Sequence, residues 1–408
     1  MLTAITALSL GTAAYVYAGY PVAVAVLARL RPLEGPYDRS SLPAVSLVIS
    51  ALDERAGIAA KLANTAELDY PDDLLQVIVV TDGSTDGTDN IARRCASPGT
   101  LVIHEDLRRG KAAAMRRGVE ASDHGVVVFS DANNSFPPDA LRELVAPFSD
   151  PSVAAVTGAK VPRGGSDEGS VGAGERLYWR YESFVKRQES RLGCCTGVIG
   201  ELLAVRRDAV PVFPADLVND DFFLAMQVAR QGYKVAYAPR ASSFEPPSTS
   251  LADESRRRRR MVAGRWQSLF RATSFLPVGR PLVLWQVVSH KYLRLLLPFT
   301  MATGLAASAA DVVHHRGRGQ VRVAVLVGQS AFYLLGAFAP VLPRSTGPAR
   351  QVALVSRYLV RTNWSSVEGL LHYATHRRRL HLWERVSRDS SEPGTSAVSA
   401  DVPPSVAG

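Results

Sequence analysis

Two short acidic runs carry residue types suited to holding a metal ion and a diphosphate. "VTDGSTDGT" places Asp82 just past an apolar run, and "SDANNSF" places Asp131 and Asn133 just past another. An acid followed two positions later by an acid or an amide, at the end of a strand, offers oxygen ligands to a hard divalent cation such as Mg2+ or Mn2+. Such a cation can neutralise a diphosphate. Asp53 and Glu54 close an earlier apolar run, and Asn219, Asp220 and Asp221 stand before "FFLAMQVARQG". Asn and Asp in that place are first of all helix caps, accepting orphan backbone N–H bonds, with Asn219 and Asp220 expected in that role. The positive end of the helix would also keep a carboxylate ionised there. No Walker-type loop and no G-x-G-x-x-G after a strand is found, so phosphates must be held by metal, Lys or Arg.

The elements that would position these residues follow from the hydrophobic pattern. "AVSLVISAL", "LQVIVVTD", "TLVIHE" and "GVVVFSD" read as buried strands, separated by helical patterns near Gly57–Leu68, from Thr88, at Gly110–Ala121 and at Pro138–Phe148. Continuous Val/Ile runs alternating with helices predict a mostly parallel sheet covered on both faces. Ligands gather outside the carboxyl ends of such strands, where Asp53, Glu54, Asp82 and Asp131 recur. Beyond Val153 come a strand, a surface loop "GGSDEGS", a long helix at Tyr178–Arg191, the strand in "GVIGELLAVRRDAV", the helix after "NDD" and the short strand "KVAYAP". Tyr178, Trp179 and Tyr181 are either acceptor-groove or packing residues.

The 408 residues carry a net charge of +9, unevenly spread. Leu2–Ala28 holds no charged side chain, long enough to cross the ~30 Å hydrocarbon core. Arg29 and Arg31 follow, which places the next domain on the cytoplasmic side. Spans are expected at about Leu295–Val313 and Val321–Leu342, with interfacial helices at the start of "PLVLWQVVSHKYLRLLLPF" and over Gln351–Tyr373. The resulting organisation is an anchor (1–30), an α/β domain (43–272), interfacial and transmembrane helices (281–375) and a disordered tail (389–408). This describes a multi-pass protein of the plasma membrane with its α/β domain in the cytoplasm. "RRRRR" at Arg256–Arg260 beside apolar segments fits a membrane face or a phosphate site better than nucleic acid, which is not expected as a partner. The three cysteines, Cys95, Cys194 and Cys195, read as small buried thiols in a reducing compartment.

The order of motifs resembles a family. An acid follows the first strand, Asp-Gly-Ser the second, "GKAAA" opens a helix and "DAN" follows the fourth strand. Then come "TGVIGELLAVRR", an acidic pair before a helix, and "RRRRRMVAG". From about Pro43 to Phe270 the chain is similar to the membrane-bound inverting family-two glycosyltransferases with a GT-A-type nucleotide-sugar-binding domain. These include cellulose, chitin and hyaluronan synthases and many lipid-linked sugar transferases. The resemblance implies that Glu54 and Asp82 lie near the nucleoside and that Lys111 lines the nucleotide pocket. It makes Asp131 the first acid of an Asp-x-Asp metal motif, with Asn133 in place of the second acid. It makes Asp221 the general base and Arg260 a ligand of the nucleotide sugar, while Met261 stands where the family often has an acceptor-stacking Trp. The implied function is transfer of a sugar from a nucleotide-diphosphate sugar, expected to be a UDP-sugar, to a hydroxyl of a lipid, lipid-linked or glycan acceptor. Mg2+ or Mn2+ would assist. A processive polysaccharide synthase and a non-catalytic nucleotide-binding membrane scaffold remain as alternatives.

Overall fold

The protein is described by a computed structural model covering residues 1–31, 37–162, 170–214, 216–245, 251–339, 348–377, 380 and 382. The N-terminal apolar run is one helical rod: α1 (Leu2–Ala14), a π turn (Tyr15–Gly19) and α2 (Tyr20–Arg29). The α/β part follows as β1 (Val45–Ala51), α3 (Ile58–Ala66), β2 (Leu75–Asp82), α4 (Thr88–Cys95), β3 (Leu101–Glu105), α5 (Lys111–Glu120), β4 (Val126–Asp131) and α6 (Ala140–Val145). It continues with β5 (Val153–Pro162), α7 (Ser170–Arg191), β6 (Leu203–Arg206), α8 (Asp220–Arg230), β7 (Lys234–Glu245), α9 (Leu251–Phe270) and α10 (Ala272–Phe275). The C-terminal helices are α11 (Pro281–Val287), a π turn (Val288–Tyr292), α12 (Leu293–His314), α13 (Gln320–Phe338) and α14 (Pro348–His376).

The strands form one seven-stranded sheet in the order β3-β2-β1-β4-β6-β5-β7. All neighbours run parallel except β6, which is antiparallel to both β4 and β5. Each side of the sheet has its own core, because side chains alternate along a strand. Val48, Ile78, Val80, Val127 and Phe129 pack with Met115 of α5 and with α8 on one side. Leu47, Ile49, Val79 and Val128 pack with α3 and α6 on the other. A fully buried side chain of this type contributes roughly 1.5–3 kcal/mol. Gly118 lets α5 lie directly on β1, since a Cβ there would sit 2.2 Å from Val48 Cγ1. That close approach seats α5 against the sheet.

Several expectations need adjustment. "KVAYAP" is only the start of β7, which continues to Glu245 across a register shift against β5. The interfacial segment and the span after it are one unbroken helical run, Pro281–His314, with His290 and Lys291 inside the π turn. Among the described residues three helices, Leu2–Arg29, Pro281–His314 and Gln320–Phe338, are long and apolar enough to cross a membrane. α14 packs against α9 and α13. Cys95 is exposed rather than buried, because α4 turns that face outward, while Cys194 and Cys195 are buried. Most of "GGSDEGS" and the tail from 389 lie outside the described residues.

Candidate active site

At the carboxyl end of the sheet, three loops are tied to one another. Asp53, whose φ of 50° is left-handed, lies just past β1. Its backbone N–H donates to Ser84 Oγ at 3.0 Å, and its Oδ1 accepts from the Thr85 N–H at 2.9 Å. Short polar residues tolerate that backbone conformation better than branched ones. Asp82, buried at the end of β2, accepts the backbone N–H groups of Arg109 and Gly110, each at 2.8 Å. Those two bonds fold the loop that starts α5. Gly83 is in the left-handed region and lies against the Arg108 backbone, leaving no room for a Cβ. Glu54 sits beside Gly57, and a Cβ on Gly57 would be 3.7 Å from both Glu54 Oε2 and the Ala132 carbonyl. The acid after β1 thus adjoins the loop after β4.

That loop carries Asp131 and Asn133. Lys111 Nζ donates to Asp131 Oδ1 at 2.5 Å. Burial alone would lower the Lys111 ammonium, but Asp131, Asp220 and Asp221 hold it above its usual value. Asn133 Oδ1 is buried and has no hydrogen-bond partner among the described residues. A buried acceptor without a partner costs roughly 1–3 kcal/mol. Asn134 is the opposite case. Its Oδ1 accepts from Lys61 Nζ at 2.7 Å and Ser130 Oγ at 3.0 Å, and its Nδ2 donates to the Glu201 carbonyl at 2.8 Å and Ser243 Oγ at 2.9 Å. Lys61 also caps the Phe136 ring at 3.8 Å and donates to the Asn134 carbonyl at 3.2 Å. Burial pulls its ammonium down to about 7, against the raising influence of Asp131 and Glu201. Lys61, Asn134 and Glu201 form a buried polar network beneath this loop that the sequence reading did not single out.

Opposite this loop is the N-terminus of α8. Asp220 is buried and Asp221 half-buried. Asp220 Oδ1 accepts the Asp221 N–H at 2.8 Å, and Asp221 Oδ1 accepts the Phe222 N–H at 2.7 Å. Asn219 does not cap with its side chain, contrary to expectation: its Nδ2 donates to the Met261 carbonyl at 3.1 Å on α9. The tight packing of Gly264 explains this, since a Cβ there would be 2.5 Å from Asn219 Oδ1. Burial pushes the Asp220 carboxyl up to about 6; Lys111 and Arg260 oppose the rise, while Asp221 and Asp131 add to it. Gly200, from "TGVIGEL", lets the backbone lie against the pair, and a Cβ there would be 3.2 Å from Asp221 Cβ. Arg260 Nε donates to the Leu380 carbonyl at 3.2 Å. The arginines before it are partly engaged within the helix and its neighbours: Arg256 pairs with Asp253, and Arg257 with Glu254 at 3.2 Å and Glu245 at 3.3 Å. Lys160 joins Glu245 and Glu201 nearby.

The structure therefore brings Lys111 within electrostatic reach of Asp131, Asp220 and Asp221, and Arg260 within reach of Asp220, with Asp82 and Glu54 at the adjoining loops. Among the described residues no group of three or more His, Cys, Asp or Glu side chains could hold a metal by itself. Asp131 and the partnerless Asn133 oxygen fit a cation that takes its remaining ligands from a diphosphate and water.

Residues 46–211 match the family described as Glycosyl transferase family 2. The chain carries a family-two glycosyltransferase domain. It is 26% identical over 300 residues to an N-acetylglucosaminyltransferase of Rhizobium meliloti, covering 68% of this chain and 70% of that one. It is 24% identical over 237 residues to a poly-beta-1,6-N-acetyl-D-glucosamine synthase of Staphylococcus aureus, 56% of each. The match thus spans little more than half of that synthase. Among solved structures it is similar to a mannosyltransferase from Pyrobaculum calidifontis in complex with GDP-Man and Mn2+. There the TM-score is 0.65 at 26% identity, over 89% of this chain and 99% of that one. The fold is GT-A-type, the protein is a glycosyltransferase, and its apolar helices flank the domain on both sides.

Proposed function

We propose that the protein transfers a sugar from a nucleotide-diphosphate sugar, a UDP-sugar, to a hydroxyl of a lipid, lipid-linked or glycan acceptor, with inversion at the anomeric carbon. The observation that carries this reading is the juxtaposition of the Lys111–Asp131 pair with the Asp220–Asp221 pair. The first belongs with a diphosphate, the second with an acceptor proton.

Glu54 and Asp82 border the nucleoside side of the pocket. Asp131 and Asn133 would hold Mg2+ or Mn2+, which when bound offsets the charge of the diphosphate. Lys111 and Arg260 add fixed positive charge where the leaving diphosphate develops its negative charge. Asp221 is the residue with a carboxylate open to an acceptor, and it takes the hydroxyl proton as the oxygen attacks the face opposite the leaving group. Asp220, buried behind it, fixes the Asp221 backbone and supplies no proton acceptor to substrate. The solved neighbour's GDP-Man and Mn2+ support a nucleotide sugar and a divalent cation for this chain too. Membrane helices beside the domain support a membrane-held acceptor.

The test is incubation of detergent-solubilised protein with a panel of UDP- and GDP-sugars, with and without Mn2+, followed by mass analysis. Transfer or hydrolysis of a sugar nucleotide is expected; none with any donor would overturn the reading and favour a binding scaffold. The synthase among the relatives favours a second reading, processive polymerisation. A product ladder would support it, and a single mass increment would exclude it.

A further inference from the structure

Three elements converge on the acceptor side of Asp221. Gly264 of α9 is pressed against Val218 and Asn219 at the start of α8. The π turn is bound to α9, because Tyr292 Oη donates to the Ser268 carbonyl at 3.2 Å. Lys291, in that turn, places its ammonium 4.6 Å from the centre of the Phe222 ring, next in sequence to Asp221. Arg265 of α9 is the charged group acting most strongly on Lys291, followed by Asp221, Glu189 and Glu182.

The two glutamates that act on Lys291 are already engaged. Glu189 accepts from Tyr20 Oη at 2.5 Å and from the Thr196 N–H and hydroxyl at 2.9 Å, and it pairs with His290 at 2.7 Å. Glu182 binds Arg294 at 2.5 Å and His290 at 3.2 Å. Neither Lys291 nor the Arg265 guanidinium has a hydrogen-bond acceptor or salt-bridge partner among the described residues. Two half-buried cations thus lie within electrostatic reach of each other, beside the residue proposed as base. Like charges within electrostatic reach of each other are mutually unfavourable, and an anion between them relieves the cost.

We infer that Arg265 and Lys291 form an anion subsite that receives a phosphate group carried by the acceptor, close to the hydroxyl that Asp221 serves. Lys291 sits on a helix long and apolar enough to enter a membrane, so the phosphate is that of a lipid-borne acceptor. The inference rests on the transferase reading for the word acceptor, but the phosphate site itself is tested without turnover.

Full-length protein in detergent is titrated with inorganic phosphate, alone and with saturating UDP or GDP plus Mn2+. A second arm uses phosphatidylcholine micelles with and without phosphatidic acid, a phosphate-monoester lipid. The variants are Lys291→Gln, Arg265→Gln and the charge-keeping Lys291→Arg. Charge-assisted bonds of this kind predict that either Gln variant weakens phosphate binding about tenfold, with Lys291→Arg near wild type and nucleotide affinity unchanged. Tighter binding of the lipid monoester than of inorganic phosphate assigns the site to a lipid headgroup, and the reverse order overturns that assignment. Equal phosphate affinity in wild type and both Gln variants overturns the subsite. A matching loss of nucleotide affinity instead assigns these cations to the donor diphosphate and equally overturns the inference. Failure of any nucleotide to bind counts against the transferase reading alone, because the phosphate arm is read separately.

Discussion

Lys111 reaches from the first turn of α5 to the end of β4 and binds Asp131 at 2.5 Å, joining two strand-end loops that are twenty residues apart in the chain. The pair is also the link between the proposed metal loop and α8, since Lys111 is within electrostatic reach of Asp220 and Asp221. Replacing Lys111 with Met leaves Asp131 partly buried without that partner. We expect a stability loss of roughly 1–3 kcal/mol. Weaker nucleotide-sugar binding should accompany it. Thermal unfolding and nucleotide titration of the same preparation check both.

Asn133 offers an uncharged oxygen where the family resemblance implies a carboxylate. Asn133→Asp adds a charged ligand and is expected to tighten Mn2+ binding about tenfold or more, as ligand charge governs affinity for hard cations. Asn133→Leu removes the oxygen and should weaken metal binding while leaving the fold intact, because that oxygen makes no hydrogen bond among the described residues. Mn2+ titration followed by electron paramagnetic resonance reads both. Equal affinity in all three proteins would remove Asn133 from the metal set.

Lys61 is the buried cation beneath the same loop. Its folded pKa, about 7, lies below the usual lysine value. Between about pH 7 and the unfolded value the unfolded chain binds more protons, so this group makes stability rise with pH across that window. Below pH 7 the buried charge weighs against folding. Lys61→Met should therefore flatten the dependence of the unfolding midpoint on pH between 7 and 9. A variant whose pH dependence parallels wild type would show that Lys61 does not titrate there.

Asp220 shows the reverse sign. Its carboxyl is raised to about 6 by burial beside Asp221 and Asp131. Stability from the neutral form is fully present below the unfolded carboxylate pKa and is lost as pH climbs from there through 6. Asp220→Asn removes that loss, so the midpoint of the variant relative to wild type should increase from pH 5 to pH 7.5. A constant difference would contradict the assignment.

Much of the site is readable in one dimension because strand ends and helix starts are local signals. Asp53, Glu54, Asp82 and Asp131 each follow a Val/Ile run, and the parallel sheet then gathers its carboxyl ends at one edge. Motif order alone singles out Lys111 and Asp221, and Lys111 is within electrostatic reach of Asp221. The readings that fail depend on tertiary packing. Asn219 has the right type for a cap, but Gly264 draws it to the Met261 carbonyl. Asn134 looks like a neighbour of Asn133, yet its partners Lys61, Glu201 and Ser243 are 67 to 109 positions away. Lys61 on α3 carries no local signal in the sequence, and only the packing of α3 under the loop after β4 buries it. The pairing of Glu189 with His290 and Tyr20 spans three separate segments, and no periodicity announces it.

The central claim is that Asp221 is the base of sugar transfer, and Asp221→Asn tests it most directly. Initial rates of transfer are compared at saturating donor and acceptor, alongside nucleotide affinity and the unfolding midpoint. A positioned base contributes about 10²–10⁴-fold, so the account predicts a fall in kcat of at least ~100-fold with nucleotide affinity unchanged. Transfer at close to the wild-type rate by a folded, nucleotide-binding Asp221→Asn protein would contradict it.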